Sequence, residues 1–110
     1  MYKVVITSIR PNNNIKFARY DSDFYDYIEE YYTKPGKILG EKIELSTDNT
    51  TEIHTILFNS VNSYNDFVGD PVIRYQQPIR VRYNTFHRIA SSTNLSEIEV
   101  TKDLYNVYLR

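Results

Sequence analysis

Residues 60–83, SVNSYNDFVGDPVIRYQQPIRVRY, constrain the fold more than any other stretch, because they hold two helix starts and one helix stop. Ser60 is a typical N-cap and Gly69 a typical terminator. Asp70 caps again, and Pro71 follows at the first helical position, where its missing N–H costs no hydrogen bond. The segment therefore predicts a short helix, a corner and a second helix.

Because of Pro78, the residues after it can be interpreted either as a helix or as a strand. Inside a helix, proline removes a hydrogen bond and clashes with the carbonyl four residues earlier, which costs about 3 kcal/mol. A strand after it would alternate Ile79, Val81 and Tyr83, whereas a helix would align Ile79, Tyr83 and Phe86 over a longer window. The longer window favours a kinked helix, with the strand as the alternative.

The two ends of the chain predict strands. YKVVITSIRP, at 2–11, is a β-branched run with a proline stop, which predicts a central strand buried on both sides. Residues 12–20 have no clear period and predict a loop. LSEIEVTKDLYNVYLR, at 95–110, alternates apolar and polar residues and predicts one long or two short strands.

Residues 21–36, DSDFYDYIEEYYTKPG, predict the first helix. Asp21 or Ser22 caps it, and the Pro-Gly pair ends it. Its apolar face consists of Phe24, Tyr27, Ile28 and Tyr31. Its opposite face carries Asp26, Glu29 and Glu30. These acids predict a solvated face, with a paired carboxylate site as the alternative.

A hairpin is predicted at 41–60, EKIELSTDNTTEIHTILFNS. Turn residues around Asp48 and Asn49 separate two alternating runs. In this register Glu44 and Glu52 point outward, so one side of the hairpin is expected to be wet.

The resulting order of strand, helix, strand, strand, helix, strand predicts an α+β domain over residues 1–110. We expect a ferredoxin-like split βαβ fold, which is a four-stranded antiparallel sheet with the helices on one face.

ILFNS at 56–60, followed by SYNDFVGDPVI at 63–73, resembles dimeric α/β-barrel proteins of the antibiotic-biosynthesis monooxygenase-like group. The resemblance covers residues 2–90 in element order, although its motif is short. It implies ferredoxin-like subunits paired sheet to sheet. Oxygenases of this group place tryptophan, asparagine and histidine on the open side of the sheet, and this sequence has no tryptophan. YKVVITSIRPN and DPVI also resemble short proteins of tailed phages.

Composition excludes several kinds of chemistry. The sequence contains no cysteine, which rules out disulfides, thiolate metal sites and a cysteine nucleophile. Its glycines are isolated, so no phosphate-binding loop is predicted. His54 and His87 lack a metal-ligand spacing, and neither a metal, a cofactor nor a catalytic set is predicted. No apolar run is long enough for a membrane span or signal peptide, so a cytoplasmic or virion location is expected.

An acid-free stretch near the end of the second helix predicts an interface. Its residues are Arg74, Tyr75, Arg80, Arg82, Tyr83 and Arg88. Three interpretations compete: a solvated basic face, a surface that meets an acidic patch on another subunit or partner, and a site for single-stranded nucleic acid. The net charge of −1 weakens the nucleic-acid interpretation.

The sequence favours a non-enzymatic assembly or protein-interaction module, a homo-oligomer or partner of another protein, in the manner of a virion component. The alternative is a small-molecule-binding or oxygenase-like dimeric α/β-barrel enzyme. That alternative predicts a ligand pocket lined by Tyr27, His54 and Tyr64. A membrane role is not expected.

Overall fold

The computed structural model describes residues 1–99, within which it shows four strands and three helices. The strands are β1 (Tyr2–Ile9), β2 (Ile38–Leu45), β3 (Thr51–Phe58) and β4 (Ala90–Glu97). The helices are α1 (Ser22–Ile28), continued by a π-helical turn at Glu29–Thr33, α2 (Val61–Gly69) and α3 (Pro71–His87). None of the helices in these residues has both the length and the hydropathy needed to cross a bilayer.

The strands form one antiparallel sheet in the order β2-β3-β1-β4. Because β1 and β2 are each antiparallel to β3, they are parallel to one another with β3 inserted between them. The pair β3 and β4 is related in the same way about β1. This is the split βαβ arrangement, so the predicted α+β ferredoxin-like fold is confirmed.

The main hydrophobic cluster lies on one side of the sheet, although Leu57 and Thr55 are also buried on the opposite side, at 0% and 4% exposure. Register places Tyr2 opposite Phe58 and Val4 opposite Ile56, so these side chains share a side. The buried cluster consists of Val4, Tyr32, Ile38 and Phe58. Helical residues packed against it are Tyr27, Ile28, Tyr64 and Phe67. The helices α1 and α2 therefore cover the same side, which we call the helix-facing side.

The π-helical turn decides which tyrosine reaches the core. Tyr32 is 5% exposed, whereas Tyr31 is 57% exposed. Within the turn the Lys34 N–H donates to the Glu29 carbonyl, five residues earlier, at 2.9 Å. This wider spacing rotates the side chains relative to a regular α-helix. The prediction that Tyr31 belongs to the apolar face is wrong for this reason.

The first strand is central, as predicted, but it is not buried on both sides. Val4 is buried, while Lys3, Val5 and Thr7, which point away from the helix-facing side, stay partly exposed. The reason is that α1 and α2 pack on the other side of the sheet. Within β1 only Val4 is buried, so the prediction of two buried sides fails for this strand, although the paired strand β3 buries Leu57 and Thr55 on the side away from the helices.

Local capping builds the predicted corner between α2 and α3. The Ser63 N–H donates to Ser60 Oγ at 3.2 Å, and α2 ends at Gly69. The Val72 N–H then donates to Asp70 Oδ1 at 2.8 Å and starts α3. Two side-chain caps on either side of a glycine thus confirm the corner that the sequence predicts.

The helix α3 continues through Pro78 and ends at His87, so the helical alternative is confirmed and the strand over 79–83 is wrong. Arg88 ends the helix in the left-handed conformation, with φ of 57°. The strand β4 follows at once, earlier than predicted, and ends at Glu97. The rest of the predicted C-terminal strand, from residue 100 onward, lies outside the described residues.

The hairpin between β2 and β3 turns where predicted. Asn49 adopts a positive φ of 61°. Asp48 Oδ1 accepts hydrogen bonds from the hydroxyls of Ser46 and Thr50, at 2.6 and 2.7 Å. These bonds are the main reason why the pKa of Asp48 falls to about 2.

Candidate functional site beneath helix α3

The helix-facing side of the sheet divides into two halves. The apolar half consists of Tyr2, Val4, Ile56 and Phe58. The polar half, farther along the same strands, carries Ser8, Glu41, Glu52 and His54, together with the apolar side chains of Ile6, Ile43 and Leu45. The first half lies under α1 and α2. The second lies under the segment 10–21 and α3, whose side chains reach it.

Glu52 is the most buried acid of the polar half, at 7% exposure. Arg19 Nη1 and Nη2 donate to its two carboxylate oxygens at 3.1 and 2.5 Å. This paired hydrogen bond raises the pKa of Arg19. The prediction that Glu52 points outward is wrong, because Glu52 shares the side of the sheet on which Phe58 is buried.

His54 lies beside this ion pair, in surroundings that favour its neutral imidazole. Burial, with the positive charges of Arg19 and Arg80, lowers the pKa of His54 despite the nearby acid Glu52. His54 Nε2 lies 2.9 Å from Glu41 Oε2, and both side chains are about one-third exposed or less. This partner assigns the proton to Nε2, which leaves a lone pair on Nδ1. His54 can therefore accept a proton.

The helix α3 has the reverse of the usual amphipathic arrangement. Its partly buried residues are Ile73, Gln76, Arg80, Tyr83, Asn84 and His87, and only the first of these is aliphatic. Its large exposed apolar residues are Val72, Tyr75, Ile79, Val81 and Phe86. A helix that only closed a core would turn these residues the other way. The inward side of α3 is therefore suited to a polar ligand.

Arg80 is the clearest sign of such a ligand. Its Nε is buried, and within residues 1–99 it has no hydrogen-bond partner. Burial raises the pKa of Tyr20, and the Arg80 charge only partly offsets that rise. Burial lowers the pKa of His54, and the Arg80 charge adds to that lowering. A buried donor without a partner costs about 1–3 kcal/mol, so Arg80 is placed for something other than stability.

A cavity of about 510 Å³ opens beside the polar half. It is lined by Arg10, Lys16, Phe17, Arg19, Leu45, Glu52 and Tyr83. The Tyr83 hydroxyl donates to the Lys16 carbonyl at 2.5 Å and joins α3 to the segment 10–21. The volume is that of a small-molecule site. Its basic side chains outnumber the one acid, which favours an anionic ligand.

The structure does not bring together the three residues predicted for a ligand pocket. His54 lies in the polar half. Tyr64 packs between Tyr2 and Phe58, with ring centroids at 5.1 and 5.5 Å. Tyr27 lies near the corner of α2 and α3, so the three residues do not line one cavity.

Tyr27 and Tyr32 both donate to Asp70 Oδ2, at 2.6 Å each. The bond to Asp70 is the main reason why the pKa of Tyr27 rises to about 12, and burial is the main reason why the pKa of Tyr32 rises. Burial acts to raise the pKa of Asp70, but the tyrosine hydrogen bonds outweigh it and lower that pKa. The cluster ties α1 to the start of α3 and sets the position of α3 over the sheet.

The predicted arginine and tyrosine interface is divided by the helix. Arg80 and Tyr83 turn inward toward the polar half. The other four residues, Arg74, Tyr75, Arg82 and Arg88, are exposed. Within the described part of the chain, no group of three or more histidine or acidic side chains is placed to hold a metal ion.

Sequence reasoning missed Arg19 and Glu52 as site residues. The partners are 33 residues apart, and no local spacing links them. One available signal was the absence of any acid from residues 71–96 while arginines recur there. That pattern drew attention to Arg80 but not to its inward direction.

No protein-family model matches the sequence, and no curated protein matches it. Solved structures do match its fold. An antibiotic biosynthesis monooxygenase superposes with a TM-score of 0.58 and 12% identity, covering 91% of this chain and 100% of that one. SnoaB, a cofactor-independent oxygenase from Streptomyces nogalater, gives a TM-score of 0.55 and 9% identity, covering 92% of this chain and 95% of that one.

A third structure, a dimeric ferredoxin-like protein from an uncultured marine organism, gives a TM-score of 0.52 and 14% identity, covering 90% of this chain and 97% of that one. At these identities the likeness shows the fold. The chain thus has the ferredoxin-like fold of antibiotic-biosynthesis monooxygenase-like proteins, and the predicted resemblance to that group is confirmed.

These neighbours correct the favoured prediction of function. The sequence favoured a non-enzymatic assembly or protein-interaction module, whereas the similar structures include monooxygenases and a cofactor-independent oxygenase. The resemblance to tailed-phage proteins stays a prediction.

Proposed function

We propose that the chain is an oxygenase-like enzyme that binds a small, acidic organic substrate between the polar half of the sheet and α3. The observation that carries the proposal is the pairing of a neutral base with unmatched positive charge. His54 has a lowered pKa and a Glu41 partner, and Arg80 Nε is buried without a partner within residues 1–99. The cavity is lined by Arg19 and Glu52 but not by His54 or Arg80. A substrate that extends from the cavity toward these two residues would lose a proton to His54, and Arg80 would stabilise the anion that forms.

The chemistry follows from what a cofactor-free oxygenation needs. O₂ accepts electrons readily only from an electron-rich anion, so the substrate itself must carry an activated C–H or O–H group. In the balanced reaction, an activated CH₂ group and O₂ give a C=O group and H₂O. His54 would take the first proton, while Arg19 and Arg80 would hold the negative charge. Acidic organic compounds with an activated CH₂ group fit this requirement.

The proposal includes a homodimer. The similar structures include a dimeric ferredoxin-like protein. In this chain Ile9 and Ile53 point away from the helix-facing side and are 47% and 38% exposed. Sheet-to-sheet pairing of two copies would bury them and leave the space under α3 free for substrate.

Oxygen uptake with a panel of acidic compounds that carry an activated CH₂ group, such as anthrones, tests the proposal. We expect turnover that falls about 10²-fold or more in His54→Gln, because a general base contributes about that much. His87→Gln, which removes the other histidine, should keep the activity. A ligand-dependent rise in melting temperature without oxygen uptake would support binding alone. Neither uptake nor a melting shift with any compound would contradict the proposal.

A further inference from the structure

One flank of α3 carries an apolar stripe on the surface. We call the α3 stripe Val72, Tyr75, Ile79 and Phe86, which are 39, 69, 40 and 82% exposed. They recur at spacings of three, four and seven residues, so they form one line along the helix. We propose that the α3 stripe is a docking surface for the acidic helix α1 of a second copy of this chain.

The stripe is unlike ordinary surface apolar residues. Single exposed apolar side chains are normal, but four of them along one flank of a helix mark a contact surface. The helix α3 has no fully buried residue, so its apolar side chains contribute little to the core. Sheet-to-sheet pairing would leave the stripe exposed, because α3 lies on the helix-facing side of the sheet and the pairing would use the other side.

The positive charge beside the α3 stripe identifies the acidic helix α1 as its partner. Arg74, Arg82 and Arg88 are exposed along α3, and no acid occurs anywhere from residue 71 to residue 96. The helix α1 has the opposite character, since no base occurs between Arg19 and Lys34. A basic helix and an acidic helix on the same molecule are complementary surfaces for two copies.

The exposed surface of α1 also supplies the matching contacts. Its acids include Asp23, Asp26 and Glu30, all exposed, and Glu30 also pairs with Lys34 at 2.8 Å. Tyr25 and Tyr31 are 46 and 57% exposed. Tyrosine rings next to arginines gain both apolar contact and cation–π attraction. An aromatic and acidic helix therefore fits an apolar stripe bordered by arginines.

The geometry sets the strength and symmetry of the contact. At about 1.5 Å per residue, α3 is about 25 Å long and α1 with its π-helical turn about 18 Å. One helix on one helix lies at the small end of specific interfaces, so the contact is weak and sensitive to salt. Two different surfaces meet, so each junction leaves another α1 and another α3 free to bind further copies.

Sedimentation velocity of the purified full chain tests the docking surface. At about 0.02 M salt we expect concentration-dependent growth beyond the basic oligomer, which about 0.5 M salt reverses. Phe86→Ser should weaken this association about tenfold. Val81→Ser is the matched control, because Val81 is 50% exposed on the same helix but lies outside the stripe. Equal association of wild type and Phe86→Ser, or no growth at low salt, would overturn the proposal.

A charge exchange tests the occupant. Arg82→Glu and Asp26→Lys should each abolish the association, and a mixture of the two variants should restore it, because each supplies the surface that complements the other. Unchanged association of Asp26→Lys would overturn the assignment to α1, as would loss of association after nuclease treatment. Oxygen uptake or ligand binding should be unchanged in these variants, so failure here is separable from failure of the proposed enzyme activity.

Discussion

The two halves of the helix-facing side use the same strands and the same alternation, yet they differ in what covers them. In the apolar half, Phe58 packs edge to face with Tyr64 and Phe67 from α2, with ring centroids at 5.5 and 5.4 Å. In the polar half, Arg19 and Arg80 reach Glu52 and His54 from loop and helix. The first arrangement removes apolar surface from water, which stabilises the fold. The second holds Arg19 and Glu52 at a cavity and leaves the buried Arg80 Nε without a hydrogen-bond partner in residues 1–99, which costs stability.

The apolar half of this small domain stabilises the fold, and the polar half holds the candidate site. The two halves lie on the same strands: Phe58 in the apolar half and Glu52 in the polar half point to the same side of β3. The covering segments make the difference. The hydrogen bonds from Tyr27 and Tyr32 to Asp70 connect the two halves, because Asp70 also caps α3. A rigid apolar half thus positions the helix that closes the polar half.

The largest expected effect is in the apolar half. Phe58→Ala should lower the free energy of unfolding by about 3–5 kcal/mol, because Phe58 is 1% exposed and its loss leaves a cavity among aromatic rings. Phe86→Ala is the matched control, since Phe86 is 82% exposed and should change stability by less than about 0.5 kcal/mol. Urea unfolding measures both. Similar losses for the two variants would contradict the placement of the core.

A smaller effect of opposite sign is expected in the polar half. Arg80→Leu should raise the free energy of unfolding by about 1 kcal/mol, because it removes a buried donor that has no partner within residues 1–99. The same change should weaken binding of an anionic aromatic ligand about tenfold or more. Arg82→Leu, on the exposed side of α3, should change neither quantity. Destabilisation by Arg80→Leu would assign Arg80 to the core.

Sequence patterns predicted the elements with local signals and missed the contacts without them. The corner at α2 and α3 was predictable because Ser60, Gly69 and Asp70 act on backbone groups within a few residues. The inward direction of Glu52 was not predictable, because Leu57 and Phe58 are both apolar and either register looks reasonable. Its partner Arg19 comes from a loop 33 residues away.

The helices also show that local patterns predict an element better than they predict which of its sides faces the core. Helical spacing correctly predicted that α3 continues past Pro78, but it assumed that the apolar side faces the core. The exposed Phe86 shows that in α3 the polar side faces inward, which only the charges on the sheet beneath could explain. After α1 the π-helical turn buries Tyr32 instead of Tyr31, and no residue pattern in the sequence predicts such a turn.

The smallest expected effect is the pH dependence that His54 gives to stability. Burial and the charges of Arg19 and Arg80 hold the pKa of folded His54 below the ordinary 6.5. Above pH 6.5 both the folded and the unfolded chain carry a neutral imidazole, so the contribution is fully present. As pH falls through 6.5 toward the folded pKa, the unfolded chain binds the proton first, and stability is lost.

Urea unfolding between about pH 7.5 and pH 5.5 isolates this effect, because carboxylates titrate below that window. Asp48, whose pKa falls to about 2, and Asp70, whose pKa is lowered, both stay charged throughout it. His54→Gln should flatten the dependence, whereas His87→Gln should keep it. An unchanged slope in His54→Gln would mean that the imidazole is not held neutral by its surroundings. The polar half would then lack the base that distinguishes it from the apolar half.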